Sequence, residues 1–286
     1  ENNSLERLKK WLATGEVNWF LDGDDLCEFL EDGRRRASDD GAASADSEPA
    51  GRQVPRILNV GCGPLAPRPL QCSLDPAWLP ATASAAQARS LGTSKTKVPW
   101  SVPVLAADGL ARFYNRILDE RGMAPPYAPQ QCPVEELHTC FPPGHFDVVH
   151  MRNALDHVFD PLLGIERMLH VVRPGGWVLL RHARNEGVPG QFRNGLHQWA
   201  FDAEETTPGN FAFLIWNPEL RVDASLHLLS QGLAAEVRTD LRDHPCDDAP
   251  DDERYVWVEI RKPTVKELAE RRKSLAAAAE TDLSAL

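Results

Sequence analysis

The 286-residue chain lacks any run of about 18 consecutive apolar residues, which is the length that a membrane-spanning helix requires. It also lacks an excess of basic side chains, because its formal net charge is −11. A surface with that charge repels the phosphates of nucleic acids. The two absences predict no membrane span in this chain and no nucleic-acid partner, and they favour a small-molecule substrate. They leave the oligomeric state open.

The six cysteines include no Cys-x-x-Cys pair, so the sequence predicts no zinc knuckle. They are scattered along a long chain, a distribution typical of proteins from a reducing compartment. We therefore expect a cytoplasmic protein. The chain begins at Glu1 rather than Met, which is also compatible with the removal of a targeting segment.

One short motif indicates where a ligand would bind. The apolar run Ile57–Val60 ends in Gly61-Cys62-Gly63-Pro64, which predicts a buried strand followed by a tight turn. Glycine permits a positive φ and the close approach of a ligand to the backbone. Open α/β sheets form nucleotide-sized sites in this way at the carboxyl ends of their strands. By itself, however, a Gly-x-Gly turn also occurs in loops that bind nothing.

The residues after the turn argue against a dinucleotide. The position of the third glycine of the dinucleotide fingerprint is Ala66, which the looser form of that pattern permits. Pro64 and Pro67 nevertheless disfavour an immediate helix start, and the pyrophosphate of a dinucleotide needs the N-terminus of that helix.

The order of strand and helix patterns predicts the fold class. Strand-like runs alternate with helical periodicity in the first half of the main domain, and the later runs are strand-like with turns between them. This order predicts a doubly wound, mostly parallel α/β sheet with an antiparallel edge. The predicted strands cover 56–60, 102–108, 146–151, 177–182, 211–216, 235–241 and 255–261, and the predicted helices 109–121 and 160–172.

Composition divides the chain into three parts. Residues 1–53 combine apolar positions at helical spacing with an Ala-, Ser- and Asp-rich stretch over 33–53, and they predict an N-terminal helical extension followed by a linker. Residues 54–262 form the main domain, which a Pro- and Ala-rich insertion interrupts over about 64–101. Residues 263–286 predict a C-terminal helix.

Four segments follow one another along the chain. They are Asn59-Val60-Gly61-Cys62-Gly63-Pro64, Leu105-Ala106-Ala107-Asp108, Phe146-Asp147-Val148-Val149-His150-Met151-Arg152-Asn153-Ala154-Leu155-Asp156-His157 and Met168-Leu169-His170-Val171-Val172-Arg173-Pro174-Gly175-Gly176. In this order they resemble the class I S-adenosylmethionine-dependent methyltransferases, and in particular the methyltransferase type 11-like domain. The resemblance covers about residues 54–262, and its most specific part is the spacing of about 22 residues between the starts of the last two segments. It implies a Rossmann-like, seven-stranded fold, the cofactor S-adenosyl-L-methionine and the product S-adenosyl-L-homocysteine.

The resemblance also implies roles for individual residues around the cofactor. The glycine turn would lie against the methionine part and the ribose, an acid after the second strand would accept hydrogen bonds from the ribose hydroxyls, and later segments would meet the adenine and the cofactor carboxylate. The predicted cofactor-binding residues are Asn59, Gly61, Cys62, Gly63, Pro64, Asp108, Val134, Glu135, Arg152 and Asn153.

Three of these roles have alternatives. Asp75 is a second candidate for the ribose acid, although it lacks the flanking strand and helix that Asp108 has. Arg152 is equally compatible with a surface position. Asn153 is also a common turn-forming residue.

Methyl transfer to a hydroxyl needs a base, and polar residues follow the predicted strands 146–151 and 177–182. We predict that His157 is the general base and that Asp156 orients it, because a histidine titrates near neutral pH. His157, His182, Glu186 and His197 could together bind a metal ion, as in some methyltransferases of catechol-like substrates, but they show no metal-ligand spacing, so no metal site is predicted. The predicted substrate-binding residues are His182, Asn185, Glu186, His197 and Trp199.

The expected function is therefore methyl transfer to a small molecule, at oxygen. Transfer to nitrogen, to sulfur or to a sugar hydroxyl of a glycan is the alternative within enzymes. A lumenal, glycan-modifying enzyme would be expected to have paired cysteines. A binding or scaffold protein that retains the fold without turnover is the alternative outside enzymes.

Overall fold

A computed structural model describes most of the main domain and parts of its extensions. The first 22 residues and Asp75 lie outside the described residues, and so does most of the predicted linker. The described ranges are 23–39, 55–64, 69–74, 97–122, 128–189, 191–192, 196–243 and 254–284.

The structure describes twelve strands, seven of which form one central sheet. In chain order the strands are β1 (Ile57–Val60), β2 (Leu70–Leu74), β3 (Val98–Val102), β4 (Val104–Asp108), β5 (Gln130–Gln131), β6 (Phe146–Arg152), β7 (Val172–Ala183), β8 (Ala200–Thr207), β9 (Asn210–Trp216), β10 (Arg221–Asp223), β11 (Glu236–Asp243) and β12 (Arg254–Arg261). The order across the sheet is β11-β12-β7-β6-β1-β4-β5. β5, β4, β1, β6 and β7 pair in parallel, whereas β12 and β11 form an antiparallel edge. The predicted α/β sheet is confirmed.

Helices cover the sheet and connect its strands. They are α1 (Gly23–Asp39), α2 (Ala111–Glu120), α3 (Leu137–Cys140), α4 (Pro161–Val171), α5 (Ala224–Ser230) and α6 (Val265–Ser284). As expected, α4 begins at Pro161 after Asp160, whose side chain accepts a hydrogen bond from the backbone N–H of Leu163. Among the described helices, none combines the length and apolarity needed to cross a membrane.

The central strands are buried on both faces, which explains why they read as continuous apolar runs. Successive side chains of a strand point to opposite faces. Ile57 and Val148 accordingly pack into one core, and their neighbours Leu58 and Val149 pack into the other. The cores on the two faces of the sheet hold β1 in place, and the glycine turn follows at its carboxyl end.

The parallel pairing of β6 with β7 depends on a glycine. β7 begins at Val172, five residues before the predicted start, and its register with β6 shifts between Phe146 and Val148. A Cβ on Gly176 would lie 2.6 Å from the carbonyl oxygen of Asp147. Only glycine permits this approach without displacement of the backbone.

Two predictions about the extensions need correction. The linker predicted from residue 33 is wrong at its start, because α1 continues to Asp39. The insertion is not a loop throughout, because β2 and β3 pair antiparallel within it. Leu26 and Leu30 of α1 are buried against this pair and the central sheet, and each such side chain stabilises the fold by roughly 1.5–3 kcal/mol.

Four cysteines are paired, which contradicts the expectation of reduced, scattered thiols. Cys27 is bonded to Cys72, so a disulfide ties α1 to β2. Cys132 is bonded to Cys140, eight residues further on. Among the described cysteines only Cys62 is free, and it is buried. Disulfides persist in oxidising environments, so the pairing argues against the reducing compartment that the spacing favoured.

The C-terminal helix α6 starts with a capping box, in which Thr264 and Glu267 form reciprocal hydrogen bonds. The backbone N–H of Thr264 donates to Glu267 Oε2 at 2.8 Å, and the backbone N–H of Glu267 donates to Thr264 Oγ1 at 3.2 Å. Arg261, at the end of β12, donates to both carboxylate oxygens of Glu267. These contacts hold the first turn of α6 on the edge of the sheet.

We expect stability to fall at low pH through Glu267. The Arg261 guanidinium lowers the pKa of Glu267 from 4.5 to about 2. A carboxyl whose pKa is lower in the folded state stabilises it above about pH 4.5, and this stabilisation is lost as the pH falls through about 2. Glu267→Gln should therefore lower the melting temperature at pH 7 and flatten its decrease on acidification. Thermal unfolding from pH 7 to pH 2 tests this, with the exposed Glu270→Gln as control; equal slopes in wild type and E267Q would contradict it.

Candidate active site

A cavity of about 520 Å³ lies at the carboxyl ends of β1, β4 and β6. This volume falls within the range of about 300–1,000 Å³ usual for small-molecule sites. Its wall combines the glycine turn, the end of β4, the segment after β5 and the residues that follow β6. It is lined by Val60, Gly61, Cys62, Gly63, Pro64, Asp108, Gly109, Leu110, Tyr114, Cys132, Pro133, Val134, Glu135, Met151, Arg152, Asn153, Ala154, His157, Val158, Phe159 and Leu196.

The two glycines of the turn are needed for different reasons. Both have a positive φ, +67° at Gly61 and +69° at Gly63, which side chains disfavour. A Cβ on Gly61 would lie only 2.4 Å from the Cβ of Ala154, so this glycine allows the loops after β1 and β6 to pack together. A Cβ on Gly63 would meet nothing within 4 Å. Gly63 therefore keeps backbone accessible from the cavity.

Asp108 lies across the turn, at the end of β4, and its carboxylate is held by backbone. Oδ2 accepts a hydrogen bond from the N–H of Gly63 at 2.8 Å, and Oδ1 accepts one from the N–H of Leu110 at 2.7 Å. Each oxygen has a second lone pair. The carboxylate is thus fixed in direction and retains the capacity to accept hydrogen bonds from a ligand.

The segment after β5 forms another wall. Val134 is buried, and Glu135 Oε1 accepts a hydrogen bond from the N–H of Phe159 at 3.0 Å. The disulfide from Cys132 to Cys140 closes this segment into a short loop. The predicted adenine contacts therefore lie on covalently restrained backbone.

Arg152 at the end of β6 and Asn153 directly after it have different surroundings. Arg152 is buried in the cavity wall, with its guanidinium carbon 5.2 Å from the ring centre of Tyr255, which argues against a simple surface position. Asn153 has a φ of +43°, and its side chain donates to Tyr255 Oη and accepts from the N–H of Ala183. Asn153 thus shapes the turn, as the alternative interpretation held, and it is also one of the residues that line the cavity.

Three polar side chains converge beside the cavity, where two imidazoles meet one carboxylate oxygen. Asp156 is buried, and its Oδ2 lies 3.2 Å from His157 Nε2 and 2.5 Å from His197 Nδ1. The hydrogen bond to Asp156 raises the pKa of His157 above its usual range. Burial acts to raise the pKa of Asp156, but the hydrogen bonds and charges of its histidine neighbours lower it overall. The anion therefore favours the protonated form of His157.

Two hydrogen bonds to backbone carbonyl oxygens fix the loop at 196–199, which carries His197. The N–H of Gln198 donates to the carbonyl oxygen of Asp156 at 2.9 Å. Trp199 Nε1 donates to the carbonyl oxygen of Val158 at 3.0 Å. Together they hold His197 next to Asp156.

Several predicted site residues lie away from the cavity wall. Asn59 is buried below the turn, where its Oδ1 lies 3.0 Å from His150 Nδ1. Asn185 Oδ1 accepts from Trp216 Nε1. In the described part of the chain, none of the five predicted substrate-binding residues lines the cavity. These five residues are His182, Asn185, Glu186, His197 and Trp199.

His182 is the most deeply buried of these five side chains. It is 1% exposed, and burial lowers its pKa to about 4, so the ring is neutral near pH 7. Its ring centre lies 4.7 Å from that of Phe201, and the two ring planes are tilted by 44°. A histidine on a central strand can point into the core or toward a site, and the sequence pattern does not separate the two.

Sequence reasoning missed an apolar part of the wall. Tyr114 lies on the helix predicted over 109–121, for which no ligand contact was predicted, yet it lines the cavity. Phe159 is 88% exposed and Leu196 is 57% exposed, and both lie at the cavity. An exposed aromatic residue has no signature in the chain, because hydrophobic pattern predicts burial rather than exposure.

A family model described as a methyltransferase domain matches residues 79–212. The matched range contains Asp108, His157 and His197, and it begins after the glycine turn. Among curated proteins, the methyltransferase str3 of Strobilurus tenacellus is 45% identical over 40 residues, which is 14% of this chain and 14% of that protein.

Two solved structures have similar backbones at low sequence identity. The CurJ carbon methyltransferase is 15% identical with a TM-score of 0.41, over 77% of this chain and 51% of that chain. The trans-methyltransferase CalH, crystallised with SAH, is also 15% identical with a TM-score of 0.41, over 82% of this chain and 54% of that chain. The aligned part is thus about half the length of either structure.

Proposed function

We propose that this chain, which belongs to the class I S-adenosylmethionine-dependent methyltransferase family, catalyses methyl transfer from S-adenosylmethionine to a hydroxyl group of a small-molecule acceptor. The observation that carries the proposal is the position of His157. This side chain, backed by a buried carboxylate, lines the same cavity as the glycine turn and Asp108. A base and a nucleotide-sized site thus share one cavity.

The residues present fit the cofactor. Gly63 leaves space where a side chain would block the backbone, and Asp108 offers oriented carboxylate oxygens of the kind that ribose hydroxyls need. We assign the methionine end to the glycine turn and Arg152, and the adenine to Val134 and Glu135. When bound, S-adenosylmethionine supplies a methyl group on a positively charged sulfur, and the new O–CH₃ bond forms as the S–CH₃ bond breaks.

His157 would remove the proton of the acceptor hydroxyl. Its Nε2 faces Asp156 Oδ2, so the N–H is held there and the lone pair lies on Nδ1. The hydroxyl proton passes to Nδ1, and Asp156 stabilises the imidazolium that results. Alignment of the hydroxyl with the methyl group supplies the remaining acceleration.

The exposed apolar rim indicates the acceptor class. Val158, Phe159 and Leu196 line the same cavity wall as His157. Such side chains favour an apolar or aromatic body that carries the reactive hydroxyl. The acidic surface of the chain also favours a neutral acceptor over an anionic one.

Two measurements test the proposed function in sequence. Titration calorimetry should show that S-adenosylmethionine binds at one site per chain, and the absence of heat at millimolar cofactor would overturn the proposal. Incubation with aromatic and aliphatic alcohols should then produce S-adenosylhomocysteine and a methylated alcohol, detected by mass spectrometry. Turnover of amines or thiols but not of alcohols would favour the nitrogen or sulfur alternative, and cofactor binding without any turnover would favour a binding protein.

A second candidate function is methylation of a sugar hydroxyl on a glycan in an oxidising compartment. The two disulfides favour it, since such pairs are rare in the cytosol. The apolar rim favours the first candidate, because sugars offer little apolar surface. Thiol titration of the denatured, unreduced chain from its native source separates the compartments, since Cys27, Cys72, Cys132 and Cys140 react there only if the protein matured in a reducing one.

A further inference from the structure

We infer that Asp156, His157 and His197 together form a binding site for a divalent transition-metal ion of the Zn²⁺ type. Their ligand atoms, one carboxylate oxygen and two imidazole nitrogens, all lie within 4.8 Å of one another. No metal site was predicted, because His157, His182, Glu186 and His197 lack metal-ligand spacing. In the structure Asp156, which lies 41 residues before His197, takes the place of His182 and Glu186 beside the two other histidines. The fold brings His197 to Asp156 and His157 although it is far from them in the sequence.

The distances suit such an ion. Zinc binds nitrogen and oxygen at roughly 2.0–2.2 Å, which places tetrahedral ligand atoms about 3.4 Å apart. Asp156 Oδ2 is 3.2 Å from His157 Nε2 and 2.5 Å from His197 Nδ1. Small side-chain rotations would therefore admit the ion, and two histidines with one carboxylate leave the fourth position for water or a ligand.

The surroundings of the Asp156 carboxylate also favour a bound metal ion. Asp156 is 2% exposed, and within the described residues its Oδ1 has no hydrogen-bond partner. A buried carboxylate with an unused oxygen is costly unless a cation is close. The backbone contacts of Gln198 and the indole contact of Trp199 hold the two chain segments together, so the three ligands are positioned in advance.

The site has a consequence for the proposed reaction, and this part rests on the proposed function. A neutral imidazole that gives the lone pair of Nε2 to a metal carries its proton on Nδ1. His157 then has no lone pair with which to accept the proton of the acceptor. Occupancy by the ion should therefore inhibit methyl transfer.

Titration of the chain with Co²⁺ after treatment with a chelator tests the site without any turnover. We expect one ion per chain, visible absorption bands of Co²⁺ with nitrogen and oxygen ligands, and an affinity at least tenfold lower in His197→Ala. His227→Ala is the matched control, because His227 lies 3.6 Å from Glu166 and is 34% exposed, as His157 is, but belongs to another surface. Its affinity should equal that of wild type.

Absence of Co²⁺ binding by the wild-type chain would overturn the inference, and so would unchanged affinity in His197→Ala. Neither result depends on methyl transfer, so the proposed function is not tested by them. For the inhibitory part, turnover should fall in proportion to occupancy by Zn²⁺. Full turnover at full occupancy would show that the ion does not bind His157.

Discussion

Replacement of His157 by alanine should lower turnover by roughly 10²–10⁴-fold, the usual contribution of a general base, and leave the affinity for S-adenosylmethionine within about twofold of wild type. The His157 side chain is 34% exposed, and its Nε2 pairs with Asp156. In H157A the buried Asp156 carboxylate keeps His197 as a partner, so removal of this partly exposed side chain costs little folding free energy. A loss of turnover at constant cofactor affinity would identify a chemical role.

The pH profile separates a base from a residue that only fills space. Since the hydrogen bond to Asp156 raises the pKa of His157, the imidazole is increasingly protonated, and turnover should fall, as the pH drops below that raised value. Asp156→Asn removes the anion that favours the imidazolium. Its acid limb should therefore move to lower pH, while its maximal rate falls.

Initial rates from pH 5 to pH 9, measured with a chelator present to keep metal ions away, give both profiles. His227→Ala serves as the control for loss of a half-exposed imidazole paired with a carboxylate. If H157A retained wild-type turnover while cofactor still bound, the assignment of the base would be wrong. His197 would then be the remaining imidazole on the same carboxylate.

The parts of this molecule that sequence predicts are those with short-range physical causes. The strand of β6 and the helix start at Asp160 follow from a continuous apolar run and from an N-cap before proline, and both are confirmed. The N-terminal extension and the insertion were less well predicted, because α1 and the β2–β3 pair depend on packing and on a disulfide between Cys27 and Cys72. Residues 45 positions apart leave no local pattern that marks them as partners.

The candidate site divides in the same way. The glycine turn and Asp108 are recognisable because each ends a strand, and parallel strands bring their carboxyl ends to one edge. The turn role of Asn153 was predicted only as one of two alternatives, because its contact with Tyr255 comes from a distant strand. The burial of His182 was not predicted, because it depends on Phe201 from another strand. The pairing of His197 with Asp156 was not readable either, since it requires the loop at 196–199 to fold back on the turn after β6.

Replacement of Asp108 by asparagine should weaken S-adenosylmethionine binding by roughly 10–100-fold. The amide offers one acceptor oxygen where the carboxylate offers two, and a hydrogen bond to a charged group is worth about 1.5–3 kcal/mol. The amide introduced in D108N would also have to present its nitrogen to one of the N–H groups of Gly63 and Leu110, which both donate to the carboxylate in the wild-type chain. The turn would therefore lose part of its order along with the ribose contact.

Calorimetry with S-adenosylmethionine measures this loss, and thermal unfolding without cofactor reports how much of it comes from the turn. Asp160→Asn is the matched control, because Asp160 also accepts backbone N–H at the start of a helix, lies outside the cavity, and is replaced by an equally good N-cap. Unchanged cofactor affinity in D108N would exclude Asp108 as the ribose acid and would leave Asp75 as the candidate. At saturating cofactor D108N should keep most of its turnover, whereas H157A should not. This opposite behaviour separates the residue that binds the methyl donor from the residue that activates the acceptor.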